Sequence, residues 1–287
     1  MAGRFAPSPT GPLHLGSLLV ATASYLEACQ RGVPWRLRID DLDAPRAIPG
    51  AAADIMASLE AHGLLWDGEV DYQSAHIDAY EHALERLAEL GHLFYCTCSR
   101  RQLRSGQPYP GTCRGHRAAR ADAAIRVVVE PEPIRFVDAV QGQQQFYPAN
   151  ESGDFIVRRR DLIIAYQLAA AADDGAPEID HVVRGADLLD NTPRQLYLMR
   201  LLGLAPPEYA HVRLVTFADG SKLSKQTGAA GVDSQTAGAN LTAVLKMLNC
   251  APPPDAIGWP CAEILRWAGE HWNITRVPSH AAVIERN

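Results

Sequence analysis

Residues 3–40, GRFAPSPTGPLHLGSLLVATASYLEACQRGVPWRLRID, decide the fold that this sequence adopts. The segment begins with a predicted strand at 3–6, continues through a loop rich in proline and glycine, and then gives a predicted helix at 16–30. Residues 35–40 alternate apolar and polar side chains, which is typical of a strand. A strand, a helix and a second strand in this order predict a βαβ unit.

The rest of the chain continues this alternation. Helices are predicted at 51–62 and 77–90, short strands at 124–129 and 134–137, and then a strand, helix, strand and helix at 155–157, 165–172, 181–183 and 193–202. Thr192 is predicted to cap the last of these helices through its hydroxyl. A strand at 212–215, a loop at 217–231 and one or two helices follow. An α/β fold with a doubly wound parallel sheet is the simplest architecture.

A cysteine-containing segment interrupts this pattern. We therefore expect residues 1–95 and 151–235 to form the two halves of one doubly wound domain, with residues 96–150 inserted between them as a zinc-binding subdomain. Residues 236–287 are expected to form a short helical appendix, because the segment after Lys225 is shorter than an ordinary domain.

The composition of the 287 residues, 47% hydrophobic and 21% charged, is that of a globular protein and excludes disordered or collagen-like chains. The apolar run that begins at Leu18 meets Glu27 before it reaches the ~20 residues of a membrane span. We expect a cytoplasmic protein, a monomer, without a membrane segment. Three of the six cysteines lie between Cys96 and Cys113, which favours a metal site over disulfides.

The net charge of −6 gives no general attraction for nucleic acid, so RNA contact requires a local basic surface. The acid-free segment 96–120 carries six arginines: Arg100, Arg101, Arg104, Arg114, Arg117 and Arg120. Arg158, Arg159 and Arg160 form a second basic run. We predict that these arginines contact RNA; the alternative is that they only solvate a metal-binding loop.

The first candidate site is the loop and helix start PSPTGPLHLGS at 7–17, at the carboxyl end of the first strand, where open α/β sheets bind ligands. Backbone N–H groups at a helix start favour an anion, His14 can donate to a phosphate oxygen, and Gly16 lets a flat ring approach the backbone. These features favour a nucleotide site. A proline-rich turn with a capping histidine is an equal alternative on this stretch alone.

The second candidate site is the loop DGSKLSKQTG at 219–228. The chain contains only three lysines, Lys222, Lys225 and Lys246, and two of them lie in this loop. Because arginine supplies the other cations, this placement favours compact ammonium groups that stabilise a triphosphate and its leaving pyrophosphate. The alternative is a solvated loop.

These two sites resemble the signature motifs of class I aminoacyl-tRNA synthetases, with HLGS at 14–17 and KLSKQ at 222–226. The segments that resemble the glutamyl and glutaminyl branch of that class are RFAPSPTG at 4–11, RIDDLD at 38–43, VRGAD at 183–187 and NTPRQ at 191–195. Cys-Thr-Cys at 96–98, YPGTC at 109–113 and the short carboxyl-terminal segment are similar to the glutamyl-queuosine tRNA(Asp) synthetase family, a catalytic core without an anticodon-binding domain.

The sequence departs from these motifs at three positions. Ser17 replaces the second histidine of the first motif, Gln226 replaces the closing serine of the second, and Asp40 stands where the family usually has glutamate. The shorter Asp40 leaves open whether it reaches a substrate amino group directly or through water.

The resemblance implies a class I synthetase fold with a Rossmann-like sheet and an inserted zinc-containing subdomain. It also implies that ATP, with Mg²⁺, activates L-glutamate to glutamyl-adenylate, and that glutamate is transferred to the queuosine base in the anticodon stem-loop of tRNA(Asp). Two alternatives stay open: a truncated glutamyl-tRNA synthetase that charges a tRNA 3′ end, and a non-catalytic zinc-containing RNA-binding protein.

The resemblance further assigns residues to roles. The catalytic residues are His14, Lys222 and Lys225, and the ATP-binding residues are His14, Gly16, Ser17 and Lys225. The glutamate-binding residues are Arg4, Ala6, Pro7, Ser8, Asp40, Tyr166 and Arg184. Charge also favours Arg4, because a guanidinium can make two parallel hydrogen bonds to a carboxylate. A core aromatic is the alternative for Tyr166.

The cysteine segment predicts a zinc site with thiolate ligands from Cys96, Cys98 and Cys113. For the fourth ligand, the chemistry of neutral imidazole favours His116, whereas the family resemblance implies Tyr109. Four protein ligands leave no position for a reacting water, so the zinc is expected to be structural. The other cysteines are expected to be ordinary buried thiols: Cys29, Cys250 and Cys261.

Overall fold

The structure of the protein is a computed structural model that describes residues 1–99, 101–103, 107–217, 223, 231–256 and 258–284. The strands are β1 (Ala2–Phe5), β2 (Trp35–Ile39), β3 (Asp71–Tyr72), β4 (Leu93–Cys96), β5 (Ala124–Val127), β6 (Ile134–Asp138), β7 (Gly142–Phe146), β8 (Ile156–Arg158), β9 (Ile179–Gly185), β10 (Glu208–Val212), β11 (Val215–Phe217) and β12 (Ala282–Ile284). The helices are α1 (Leu15–Arg31), α2 (Ala51–Ala61), α3 (Ile77–Glu89), α4 (Pro148–Glu151), α5 (Tyr166–Asp174), α6 (Thr192–Leu202), α7 (Ala237–Met247) and α8 (Cys261–His271).

Seven strands form the main sheet, in the order β3-β2-β1-β9-β10-β6-β7. Every neighbouring pair from β3 to β6 is parallel, and only the hairpin of β6 and β7 is antiparallel. The predicted α/β fold with a largely parallel sheet is therefore confirmed. Strand β1 lies between β2 on one side and β9 on the other, so the order reverses there and opens a crevice at the carboxyl ends of the strands.

Helix α1 connects β1 to β2 and confirms the predicted βαβ unit. Its buried face includes Leu18, Leu19 and Leu26, none of which has measurable solvent exposure. The helix ends at Gly32, which adopts a left-handed conformation with φ of 65° and donates its N–H to the carbonyls of Ala28 and Cys29. These contacts fix the start of α1 beside the carboxyl end of β1.

Two hydrophobic clusters surround the main sheet. The first joins α1 to β1, β2, α7 and α8, and the second joins α3, α5 and α6 to the small sheet of β4, β5 and β8. Helices α7 and α8 confirm the prediction of one or two helices near the carboxyl terminus. In the described ranges, every helix is too short or too polar to cross a membrane.

The region 96–150 divides between two sheets. Strand β5 belongs to the small antiparallel sheet, whereas the hairpin of β6 and β7 extends the main sheet through a pairing of Asp138 with Tyr209 in β10. Strand β7, with the sequence GQQQF, has no apolar alternation and was not predicted. The division into domains at 1–95, 96–150, 151–235 and 236–287 stays a prediction.

Two local predictions are wrong. The strand expected at 212–215 is broken: β10 ends at Val212, the Leu214 carbonyl accepts the N–H of Ala282 at 2.7 Å, and β11 begins at Val215 and pairs with β12. Thr192 does not cap α6: Asn191 holds the cap position, and the Thr192 hydroxyl lies 2.8 Å from Nη2 of Arg184. The Thr192 hydroxyl therefore accepts a hydrogen bond from the buried Arg184 and not from the backbone N–H groups at the start of α6.

Candidate active site

A cavity of about 560 Å³ opens at the carboxyl end of β1, a size typical of small-molecule sites. Five of the predicted site residues line it together: Pro7, Ser8, His14, Gly16 and Ser17. The lining also includes Gly185 at the end of β9, Asp187 just after it, Val215 and Leu223. The structure thus brings the first predicted motif to the same cavity as Leu223 of the second.

His14 occupies the cap position of α1. Its Nδ1 accepts the backbone N–H of Ser17 at 3.1 Å, and its Nε2 lies 3.1 Å from the Ser17 hydroxyl. A Cβ atom on Gly16 would stand 3.1 Å from the His14 ring, so glycine permits this close approach. The capping histidine and the cavity wall, which were alternatives in the sequence, are the same structural feature.

The predicted catalytic residues Lys222 and Lys225 lie outside the described residues. Leu223, between them, is 7% exposed and donates its N–H to the carbonyl of Val215 at 2.8 Å. This contact attaches Leu223 of the second motif to Val215, which lines the same cavity.

Three arginines from neighbouring strands meet around one buried carboxylate, which belongs to Asp174 at the end of α5. Arg4 donates to it through Nε at 3.0 Å and Nη2 at 2.6 Å, Arg38 donates through Nη1 at 3.0 Å, and Arg184 Nη1 lies 3.8 Å away. Burial opposes ionisation of Asp174, but the charges of Arg4 and Arg38 outweigh it and hold its pKa well below the usual range. We call these four residues the arginine cluster.

The partner of Arg4 in the structure differs from the partner that the sequence predicted. The two parallel hydrogen bonds that Arg4 was expected to offer a substrate carboxylate are made to Asp174 in this structure. Arg4 and Arg38 also line a cavity of about 520 Å³ that includes His76 and Asp173. Neither Arg38 nor Asp174 was identified from the sequence, although Arg38 lies in the motif RIDDLD.

The remaining glutamate-site candidates lie near this cluster. Asp40 accepts a hydrogen bond from Nε of Arg38 at 2.8 Å, and burial raises the pKa of the Asp40 carboxyl against the effect of Arg38. Asp40 and Ser8 line a small cavity of about 120 Å³. Ala6 follows β1 directly. Tyr166 begins α5 and is 37% exposed, so the core-aromatic alternative is wrong.

The three predicted thiol ligands come together after β4. The sulfur atoms of Cys96, Cys98 and Cys113 lie within 4.8 Å of one another, and Cys98 Sγ is 3.6 Å from Cys113 Sγ. The Tyr109 hydroxyl lies 3.4 Å from Cys96 Sγ and 3.8 Å from Cys98 Sγ. Burial alone would raise the pKa of the Cys96 thiol. Hydrogen bonding with Tyr109 and Arg126 outweighs burial and lowers this pKa to about 7.

These donors fit a tetrahedral zinc ion, for which thiolates are preferred ligands. Tyr109, not His116, lies beside the thiols: within the described ranges the candidate metal-binding group consists of the three cysteines, and His116 is exposed. Among the other cysteines, Cys250 is buried as expected. The expectation is wrong for Cys29, which is exposed on the last turn of α1, and Cys261 is half-buried.

Most of the described arginines predicted to bind RNA have partners within the protein. Arg114 makes two 2.7 Å hydrogen bonds to the buried carboxylate of Asp154, and Arg117 donates to the carbonyls of Gly91 and Leu93. The other pairs are Arg120 with Asp122, Arg158 with Glu81, Arg159 with Asp43 and Asp161, and Arg160 with the carbonyl of Thr97. Arg100 and Arg104 lie outside the described residues, and Arg101 is exposed.

The largely parallel sheet, with a cavity at its carboxyl edge beside the start of α1, defines an α/β protein with a site where such folds bind ligands. Residues 1–249 match the family described as "tRNA synthetases class I (E and Q), catalytic domain", so the chain belongs to this family and is a ligase of the aminoacyl-tRNA synthetase type.

Similar proteins carry a more specific name. A protein of Thiobacillus denitrificans named "Glutamyl-Q tRNA(Asp) synthetase" is 50% identical over 98% of this chain and 96% of its own length. A Pseudomonas aeruginosa protein of the same name is 47% identical over 99% of this chain and 97% of its own length. A solved glutamate tRNA ligase from Elizabethkingia meningosepticum, in complex with its amino acid, shares the fold with a TM-score of 0.82 at 24% identity. That match covers 99% of this chain and 66% of that one.

Proposed function

We propose that this chain activates L-glutamate with ATP and transfers it to the queuosine base in the anticodon stem-loop of tRNA(Asp). The observation that carries the proposal is the identity of 47–50%, over nearly the full length, to proteins named for that activity. The cavity at the carboxyl end of β1 supports it, because it combines a helix start with the first synthetase motif. We expect the enzyme to act as a monomer in the cytoplasm.

The first step uses the cavity at α1. The glutamate α-carboxylate attacks the α-phosphorus of ATP, and the bond to pyrophosphate breaks as glutamyl-adenylate forms. His14, Gly16 and Ser17 hold the nucleotide at the helix start, while Lys222 and Lys225 neutralise charge on the leaving pyrophosphate. Mg²⁺ would arrive with ATP and offset phosphate charge.

The glutamate side chain is proposed to meet the arginine cluster. Asp174 pairs with Arg4 and Arg38, and Asp40 and Asp173 also pair with Arg38, whereas the carboxylate nearest to Arg184 stands 3.8 Å away. The anionic side chain of glutamate would bind through the parts of Arg4 and Arg184 that Asp174 does not occupy. Asp40 then binds the amino group. The other residues proposed for this pocket are Ala6, Pro7, Ser8 and Tyr166.

In the second step, a hydroxyl of the queuosine cyclopentene ring attacks the adenylate carbonyl. An ester forms on the modified base, the proton of the attacking hydroxyl is released to solvent, and AMP leaves with the electron pair of the broken bond. The step requires no covalent intermediate with the enzyme.

Zn²⁺ would be held by Cys96, Cys98, Tyr109 and Cys113, which stand close enough to share one ion. When bound, the metal supplies a structural cross-link for the segment after β4 and not a reacting water. Burial raises the pKa of the Tyr109 hydroxyl, so the phenol is neutral until a cation displaces its proton.

The test uses labelled glutamate, ATP and tRNA(Asp) that carries or lacks queuosine, with the 3′-terminal adenosine removed from a parallel sample. The proposal expects label on queuosine-containing tRNA even without the 3′ adenosine. Label that requires the 3′ adenosine and ignores queuosine would instead identify an enzyme that charges the tRNA 3′ end.

A further inference from the structure

Three buried side chains on adjacent strands form a row that ends at Arg184. They are Asp138 in β6, His211 in β10 and Arg184 in β9, with relative exposures of 1%, 0% and 2%. Arg184 and His211 are direct partners in the parallel pairing of their strands. The row lies across the carboxyl half of the main sheet, behind the arginine cluster.

Asp138 determines which nitrogen of His211 carries the proton. Its carboxylate accepts the backbone N–H groups of Val140 at 3.0 Å, Gln141 at 2.8 Å and His211 at 3.1 Å, and it also contacts the ring Nδ1 of His211. All of the backbone partners are donors, so the carboxylate is an acceptor and Nδ1 must donate to it. Nε2 of a neutral His211 is then an acceptor.

That acceptor faces Arg184 and also the Thr192 hydroxyl, which lies 2.9 Å from Nε2. Nε of Arg184 donates to His211 Nε2 at 3.0 Å, and Nη2 of Arg184 donates to Thr192 Oγ1 at 2.8 Å and to Gln195 Oε1 at 2.7 Å. Within the described part of the chain, the remaining nitrogen, Nη1, is buried without a hydrogen-bond partner. It lies 3.8 Å from the Asp174 carboxylate.

We infer that His211 is a positioning residue for Arg184, with its tautomer fixed by Asp138, and that the row presents Nη1 of Arg184 to the side-chain carboxylate of glutamate. The inference rests on the proposed function, which assigns Arg184 to glutamate. His211 has no exposed surface and acts only through Arg184. The hydrogen bonds of Nε and Nη2 to His211, Thr192 and Gln195 hold the guanidinium in one orientation. Nη1 therefore does not move closer to Asp174 and stays available as a donor to the substrate.

Two amide substitutions separate the two sides of the imidazole. His211→Asn keeps a donor near Asp138 but has no acceptor for Arg184, whereas His211→Gln places an oxygen where Nε2 accepts. In RNA-free pyrophosphate exchange, we expect His211→Asn to raise KM for glutamate about 10-fold to 100-fold, as loss of a charge-assisted hydrogen bond does, with KM for ATP and kcat nearly unchanged. His211→Gln should restore most of the glutamate KM.

His181→Asn is the matched control. His181 is also a buried histidine of the main sheet, 2% exposed in β9, and its Nδ1 pairs with Asp180 and not with Arg184. We expect this variant to lose comparable stability but to keep the glutamate KM. If His211→Asn and His211→Gln raise that KM equally, or if His181→Asn raises it as much, the positioning role is overturned.

Two further measurements test the tautomer of His211 and the role of Arg184 separately. Nitrogen NMR of the wild-type protein should show His211 as the neutral Nδ1–H tautomer; an Nε2–H or doubly protonated ring overturns the inference even if the variants do not fold. Arg184→Lys tests the assignment of Arg184 to the glutamate site, on which the inference rests. If Arg184→Lys leaves the glutamate KM unchanged, the proposed glutamate site is wrong; if it raises KM and His211→Asn does not, only the positioning role is wrong.

Discussion

The carboxylate of Asp174, at the end of α5, accepts two hydrogen bonds from Arg4 in β1, at 3.0 Å from Nε and 2.6 Å from Nη2, across 170 positions of sequence. The pair joins the first strand of the chain to the helix that precedes β9. Asp174 is fully buried, so these bonds are made away from water. The same contact therefore attaches α5 to β1 and fixes the direction of the Arg4 guanidinium.

Replacement of Asp174 by asparagine should destabilise the fold strongly. The amide has the same shape but leaves Arg4 as a buried charge without its counter-ion and removes one of the carboxylates that pair with Arg38; breaking a buried pair in this way typically costs about 3–5 kcal/mol. The free energy of unfolding, measured in urea, tests this. Glu81→Gln is the control: Glu81 pairs with Arg158 at 3.2 Å near the surface, and its loss should cost about 1 kcal/mol or less. Equal effects of the two substitutions would contradict the buried-pair argument.

The zinc site should depend on Tyr109 and not on His116. We expect one zinc per chain by elemental analysis, lost in Cys98→Ser and reduced in Tyr109→Phe, because the Tyr109 hydroxyl lies beside two of the thiols. His116→Ala should retain the metal, since that side chain is exposed. Zinc that survives Tyr109→Phe and disappears in His116→Ala would reverse the assignment of the fourth ligand.

The lysines of the second motif should affect the rate of adenylate formation. Lys225→Ala is expected to slow glutamate-dependent pyrophosphate exchange about 10²-fold to 10³-fold without changing glutamate affinity, because the lysine acts on charge that develops on the leaving group. Lys222→Ala should be milder. Lys246→Ala, which changes the exposed third lysine in α7, is the matched control and should leave exchange unchanged. An unaltered rate in Lys225→Ala would remove the loop from the catalytic machinery.

The parallel core was predictable because local patterns specify it. Strand β2 alternates side chains and α1 repeats apolar residues at helical spacing, so each element is recognisable without its neighbours. Strand β7 was not, because an edge strand with three glutamines takes its structure from pairing with β6. The break between Val212 and Val215 likewise depends on a distant partner, because the chain pairs from Leu214 onwards with β12.

In the candidate site too, the residues that share one local segment were predicted and those that depend on distant partners were not. Residues 7–17 share one loop, and their meeting in one cavity follows from local structure. Asp174 and His211 were missed because each acquires its role from partners on other strands. Asp174 contacts Arg38 across 136 positions of sequence. The Thr192 hydroxyl, which was expected to cap α6, instead accepts a hydrogen bond from Arg184. No local spacing encodes such contacts; only the order of the strands creates them.

Two buried histidines should make the fold sensitive to mild acid. Burial lowers the pKa values of His181 and His211 below the unfolded value of about 6.5, so the unfolded chain binds more protons as pH falls. Stability is therefore fully present above about pH 6.5 and declines below it, by up to about 1.4 kcal/mol per pH unit for each histidine. Urea unfolding between pH 7.5 and 5.5 measures the slope. His181→Asn and His211→Gln should each reduce it, and an unchanged slope in both would exclude these groups as its origin.

The basic segments should contribute to RNA binding through arginines that the fold does not already use. Arg114 is committed to the buried Asp154, so Arg114→Gln should lower stability and reduce both pyrophosphate exchange and tRNA glutamylation. The triple replacement of Arg100, Arg101 and Arg104 by glutamine should reduce glutamylation and leave RNA-free exchange intact. Arg114→Gln is thus the control for a folding defect.

Salt dependence distinguishes a phosphate contact from a solvated loop. A protein with a net charge of −6 can hold RNA only through local cations, so each arginine that contacts a phosphate releases a counter-ion and steepens the decline of affinity with salt. We expect the triple variant to reduce the slope of log K against log salt by about one for each contact removed. Arg160→Gln tests the second basic run: Arg160 donates to the carbonyl of Thr97, next to Cys98, which leaves its charge without an acidic partner in that contact. A smaller salt slope with unchanged exchange would place both basic segments in the RNA path. An unchanged slope in both variants would mean that these arginines serve only the segment that carries the thiols, and that tRNA enters by another face.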